Sequence, residues 1–312
     1  AILGDGYDAK VISDGKYMKD MQDQVETFFG IEPYKTYRNY FNVYTAIAVS
    51  PETGIGTINT IRYAKFGTTY TGGVGLKCDY DAAFEYALKI PTVTADNLKE
   101  SLIIMVPNST DYGGICQMWE DGSAIAFCPL STYGYPLDTR GVIQHEAGGH
   151  GFGKLGDEYI YHNEFIDFCQ CTCCGHVDAI KWAQSLGWYA NLSLSGKIHE
   201  VPWSQLIFDE KYSDFVDIFE GGYMHSRGVF RSEQNSCMNN DIPYYSTISR
   251  MAIVKRIKQY AGETFTYEDF KAKDVVSSDA LTRSTDDLRY SRSSADNFQL
   301  PPKIHKGSPL DK

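Results

Sequence analysis

The segment His145-Glu146-Ala147-Gly148-Gly149-His150 constrains this chain more than any other. Two histidines flanking a glutamate within one helical turn are the parts of a zinc hydrolase: neutral imidazoles to hold the ion, and a carboxylate to take a proton from its water. The familiar arrangement is H-E-x-x-H, which puts both imidazoles on one helix face. Here the spacing is H-E-x-x-x-H, one residue longer. At about 100° per residue, a separation of four returns the second side chain to about 40° from the first, whereas five leaves it about 140° away. Both histidines reach one ion only if the helix widens locally, as in a single-turn π-bulge. Gly148-Gly149 sits inside that turn, where weak helix propensity makes widening cheap. The sequence therefore predicts a helix with a π-bulge, with His145 and His150 as metal ligands and Glu146 as general base.

A third ligand is expected shortly downstream. Gly151, Gly153 and Gly156 let the chain leave the helix and fold back, so that Asp157 or Glu158 can point at the ion. Asp157 is the expected ligand, with Glu158 as the alternative; otherwise Glu158 would orient a histidine from behind. His162, His176, His199 and His225 stay open as further ligands.

The rest of the chain reads as strands and helices of a mixed sheet with helices packed on it, an α/β (α+β) arrangement. Ala1–Leu3, Phe41–Val49, Leu102–Val106 and Ala124–Cys128 are β-rich runs. Helical spacing of apolar residues marks Asp14–Phe29, stopped by Gly30, and also Tyr80–Lys89, Ala179–Leu186 and Ser246–Tyr260. On the last of these, Ile248, Met251, Ala252, Val254 and Ile257 form one face. Beyond Gly262 the composition turns polar and the periodicity fades. The expected organisation is one catalytic domain over 1–262 and a polar, partly irregular C-terminal extension over 263–312.

Composition narrows the setting. A net charge of -11 offers no basic stripe for phosphates and argues against a nucleic-acid partner. No apolar run approaches the length of a transmembrane helix. The first residues carry neither a basic nor an apolar leader, so any signal, lipid anchor or further module would lie upstream. Of eight cysteines, four crowd into Cys169–Cys174. They are read as disulfides of an exported protein (periplasmic, cell-surface or secreted), with a second zinc site as the alternative.

Several strings resemble the IgA-peptidase family of bacterial metallopeptidases. Ile2-Leu3-Gly4-Asp5-Gly6-Tyr7 and Tyr40-Phe41-Asn42-Val43-Tyr44 look like its first strands, and His145 to Tyr159 like its metal helix with the Leu-x-Asp-Glu-Tyr ending. Glu220–Tyr223, Gly228–Arg231 and Asn235–Met238 look like its C-terminal block. Members commonly show H-E-x-x-H, so the longer spacing departs from the pattern. The resemblance implies a zincin-like catalytic domain, a mixed twisted sheet with a methionine turn at Met238. It also implies a secreted zinc metallopeptidase that hydrolyses peptide bonds of a protein or peptide substrate by a metal-bound water. His145, His150 and Asp157 would be its ligands and Glu146 its base. Tyr245, with Tyr244 and His225, is a candidate oxyanion group by position, and Ala124–Cys128 a candidate edge strand for pairing with substrate backbone. The alternatives are a different zincin, since dipeptidyl peptidase III also uses H-E-x-x-x-H, and a non-catalytic surface binding module with a degenerate metal site.

Overall fold

The computed structural model describes residues 1–168, 175–276 and 301–310. Helices and mixed sheets alternate along it, giving the expected mixed α/β class. The chain divides into two compact units, one of residues 1–30, 41–152 and 294–312, the other of 31–40 and 153–293. The division falls inside the stretch read as one catalytic domain, and the end of the C-terminal extension belongs to the first unit. The Cys169–Cys174 cluster lies outside the described residues. Among those described, Cys78 and Cys128 are thiols. No helix of the described residues is long and apolar enough to cross a membrane.

The first unit is built on a five-stranded sheet. Its strands are β1 (Ile2–Asp5), β4 (Leu102–Pro107), β5 (Ile115–Trp119), β6 (Ala124–Phe127) and a C-terminal strand, Lys303–His305, in the order β1-β4-β6-β5-C-terminal. A two-stranded pair, β2 (Thr69–Tyr70) and β3 (Leu76–Lys77), lies apart. All pairings in the large sheet are parallel except β5 with β6. The two-residue period of a strand divides its faces. Leu3, Ile103, Met105, Ile125 and Phe127 join Phe66 and Phe84 in one buried cluster. On the opposite face, a Cβ added at Gly151 would meet Leu102 at 2.6 Å and Ala126 at 3.6 Å, so the histidine-bearing helix lies directly on that face.

Two expectations for this unit are corrected. Phe41–Val49 is not a strand: only Thr45 bridges to Ile2, and Val43, Ile47 and Val49 are 37%, 48% and 52% exposed. Its β-rich composition finds no neighbouring strand to pair with over its length. Ala124–Cys128 is not an edge strand either, because β6 is flanked by β4 and β5 and has no free side for substrate. The expected helix over 14–29 is α2 (Lys16–Phe28), and the short α1 (Ala9–Ser13) precedes it. Gly15 takes a left-handed φ of 83° between them, which a glycine adopts at little cost. Tyr17, Met21, Gln24 and Phe28 line the buried side of α2 at helical spacing. Helix α3 is Tyr80–Ala87, capped by the Asp79 carboxylate, which accepts from the Ala82 N–H.

In the second unit, β7 (Ile160–Phe165), β8 (Phe219–Gly222) and β9 (Met224–Arg231) form a three-stranded sheet in the order β7-β9-β8. Helix α5 (His176–Ser185) follows the undescribed segment, and the short α6 (Ser204–Ile207) and α7 (Cys237–Asn240) precede α8 (Thr247–Tyr260) and α9 (Tyr267–Lys273). On α8 the buried face is Ile248, Arg250, Ile253, Val254 and Ile257, while Met251 and Ala252 sit at its half-buried margin. Arg250 is a charged member of that buried face. Its guanidinium donates to both Asp274 carboxylate oxygens, at 2.7 and 2.8 Å, with both side chains almost fully buried. This bidentate pair ties the start of the polar extension to α8. Removing one partner of such a pair strands the other charge, so Arg250→Met is expected to lower the unfolding free energy by about 3–5 kcal/mol in urea titrations.

Candidate metal centre

Helix α4 (Thr139–Ile143) leads into the centre. The Asp138 carboxylate caps it by accepting from the Arg140 N–H at 3.0 Å, and Thr139 accepts from the Gln24 side chain of α2. The chain then widens into a π-helix over Gln144–Phe152, whose nine residues are all buried. The widening runs further than the single-turn bulge the glycine pair suggested. With i→i+5 bonding, residues five apart return to one face. His145 and His150 do so: their Nε2 atoms are 3.0 Å apart and their rings meet edge to face at a centroid distance of 4.7 Å.

Asp157 completes the group. Ligand atoms of His145, His150 and Asp157 all lie within 4.8 Å of one another, and all three residues are buried. Two imidazoles and a carboxylate that converge away from water suit a divalent transition metal, with a position left for water or substrate. Cys128 lies near Glu146, and burial followed by that carboxylate pushes its thiol well above the ordinary range. Glu146 itself passes over Gly114, where an added Cβ would stand 2.9 Å from its Oε1 and 3.0 Å from its Cγ. Gly114 is thus the floor on which the Glu146 side chain rests, and its residue identity carried no signal by itself.

Glu158 does not turn to a histidine. Its Oε1 accepts from the Asn191 side chain at 2.8 Å and its Oε2 from Ser236 Oγ at 2.5 Å, while its N–H donates to the Met238 carbonyl at 2.8 Å. Burial pushes its carboxyl up to about 7, against the lowering by Ser236 and Asn191. Glu158 therefore fixes the loop segment that carries Asp157 to the turn at α7, where Met238 is fully buried and Ser236 caps the helix through a capping box.

The candidate oxyanion groups have other partners. Tyr245 is fully buried, hydrogen-bonded to Cys237, with its ring edge-on to Tyr34 at 6.0 Å. Tyr244 donates to Glu233 at 2.6 Å. His225 stands 2.8 Å from His176, nitrogen to nitrogen, and burial followed by the His176 charge holds its imidazole down to about 4. His199 stacks on Phe208. A residue not anticipated as functional is Tyr223, which sits beside Asp157. Its phenol is pushed well up by burial and then by the Asp157 charge, and its backbone holds a left-handed φ of 44°. A bulky residue held there stores strain, which is commonest at functional sites. The only sequence sign was its place after Glu220-Gly221-Gly222.

Two histidines and an aspartate converging around a helix that carries a neighbouring glutamate are the equipment of a metal-dependent hydrolase. The family model described as IgA Peptidase M64 matches residues 1–168, and the chain belongs to that family. The match takes in the β1 strand, the histidine helix and Asp157, and it ends before the block around Met238. No curated protein matches the chain. The family makes it a peptidase, and His145, His150 and Asp157 form a group that could hold a metal ion.

Proposed function

We propose that the chain is a zinc peptidase that cleaves peptide bonds of a protein or peptide substrate, with Glu146 as general base. The observation that carries this reading is the convergence of His145, His150 and Asp157 beside Glu146. Imidazole and carboxylate donors suit zinc, which when bound polarises the scissile carbonyl and acidifies the attacking water. Glu146 takes the proton of that water and returns it to the leaving amine. Asp157 balances the charge at the site, and the Asn191 and Ser236 bonds to Glu158 keep the neighbouring backbone in place. Burial of the whole π-helix excludes bulk water from these charges and strengthens their interactions. The reading extends to an exported enzyme working at or beyond the cell surface.

Incubating the zinc-loaded protein with a peptide library, with and without a chelator, tests the activity. Cleavage that stops with chelator and returns with zinc is expected. Stoichiometric zinc with no cleavage of any library member would favour a non-catalytic binding module. The position of the base has its own test. In Gly114→Ala the new methyl displaces the Glu146 carboxylate, and small misplacements of a catalytic group are costly. The expected result is a kcat lowered about tenfold to a hundredfold, with zinc content unchanged. An unaltered kcat would show that Glu146 does not need the Gly114 floor.

A further inference from the structure

A second cluster of histidines lies wholly within the unit of residues 31–40 and 153–293, away from the peptidase motif in sequence. His162 on β7 and His225 on β9 are register partners across a parallel pair, so they project on the same side of the sheet. Their rings are 5.8 Å apart. His176, the first residue of α5, reaches the same place: its Nδ1 is 2.8 Å from His225 Nε2, and the two rings are 5.1 Å apart. On the far side of the His225 ring, Nδ1 faces a Glu164 oxygen at 3.8 Å. His225 is fully buried and His176 is 8% exposed.

We infer that His176 and His225, with His162, form a second zinc site, which ties the start of α5 to the β7-β9 pair.

The geometry of the first centre supports the comparison. Two nitrogens bound to one tetrahedral zinc at bonds of about 2.0–2.1 Å lie about 3.3 Å apart. The His145–His150 pair, at 3.0 Å, and the His176–His225 pair, at 2.8 Å, both point nitrogen at nitrogen close to that spacing. Each needs only a few tenths of an ångström of rotamer motion to admit an ion. Metal-binding imidazoles usually hold a carboxylate or carbonyl at the ring nitrogen away from the metal. Glu164 lies on that side of the His225 ring, at 3.8 Å and beyond hydrogen-bond reach, while Nε2 faces His176. The ligands are neutral imidazoles from two strands and a helix start, so the ion would act as a clamp. The T-shaped contact of Tyr223 on His176, at a centroid distance of 5.4 Å, closes one side. A simple hydrogen bond shared by two imidazoles is the competing explanation, and it predicts no bound metal.

The site is tested independently of the peptidase reading by counting zinc in full-length protein reloaded after chelation, using elemental analysis and competition with a chromophoric chelator. His176→Asn is the first variant. His162→Asn, at a half-buried position, is the second, in case the first does not fold, with near-ultraviolet circular dichroism as the check. Each folded variant is expected to hold one zinc fewer than wild type and to keep its peptide cleavage. His150→Ala is expected to lose the catalytic ion and retain this one. A zinc count equal to wild type in both folded histidine variants would overturn the second site and leave the peptidase reading untouched.

Discussion

Glu146→Gln is expected to abolish most peptide cleavage while leaving the metal in place. Glutamine keeps the length and shape that fit over Gly114, and Glu146 is not one of the three converging ligands. It cannot accept and return the proton of the attacking water. General bases contribute roughly a hundredfold to ten-thousandfold, so kcat should fall by that range with KM little changed. The measurement is single-substrate kinetics on wild type and variant, paired with zinc content. A variant within threefold of wild type would assign the base elsewhere.

His150→Ala is the second large effect, and it separates a widened helix from an ordinary one. If the π-helix brings His150 to the ion, losing its imidazole removes one of three protein ligands from a buried site. Zinc retention after dialysis against a chelator should collapse, and cleavage with it. His145→Ala should match it, because their Nε2 atoms share one point 3.0 Å apart. Retained zinc in His150→Ala with loss in His145→Ala would mean that the i,i+5 histidine is a bystander.

These expectations rest on features of unequal visibility in the sequence. The metal helix was legible because its chemistry is local: an i,i+5 spacing forces a wider helix, and adjacent glycines permit it. Its full length as a π-helix was not, since the outer residues from Gln144 to Phe152 take that form together with the sheet packed against Gly151. The sheet was partly legible. Leu102–Pro107 and Ala124–Phe127 are continuous apolar runs, as strands buried on both faces are. Ile115–Trp119 escaped notice because Gln117 interrupts the run and Gly113-Gly114 precede it. Phe41–Val49 misled in the opposite sense, because β propensity records how a residue fits a sheet and says nothing of whether a neighbour is there.

Long-range partners were the least visible. Nothing local to Glu158 announces Asn191 and Ser236, 33 and 78 residues away. Its expected role behind a histidine followed from adjacency to Asp157 alone. Tyr245 is near Met238 in sequence, yet its contacts are those of a core tyrosine. His225, open in the sequence as a ligand or an oxyanion group, owes its register with His162 to the pairing of β7 with β9, which neither segment announces locally.

Anomalous diffraction at the zinc absorption edge, from crystals of the zinc-loaded protein, tests the catalytic centre most directly. The expected result is an ion about 2.0–2.2 Å from His145, His150 and an Asp157 oxygen, with Glu146 outside the ligand set. An ion held without His150, or no ion among these three residues, would contradict it.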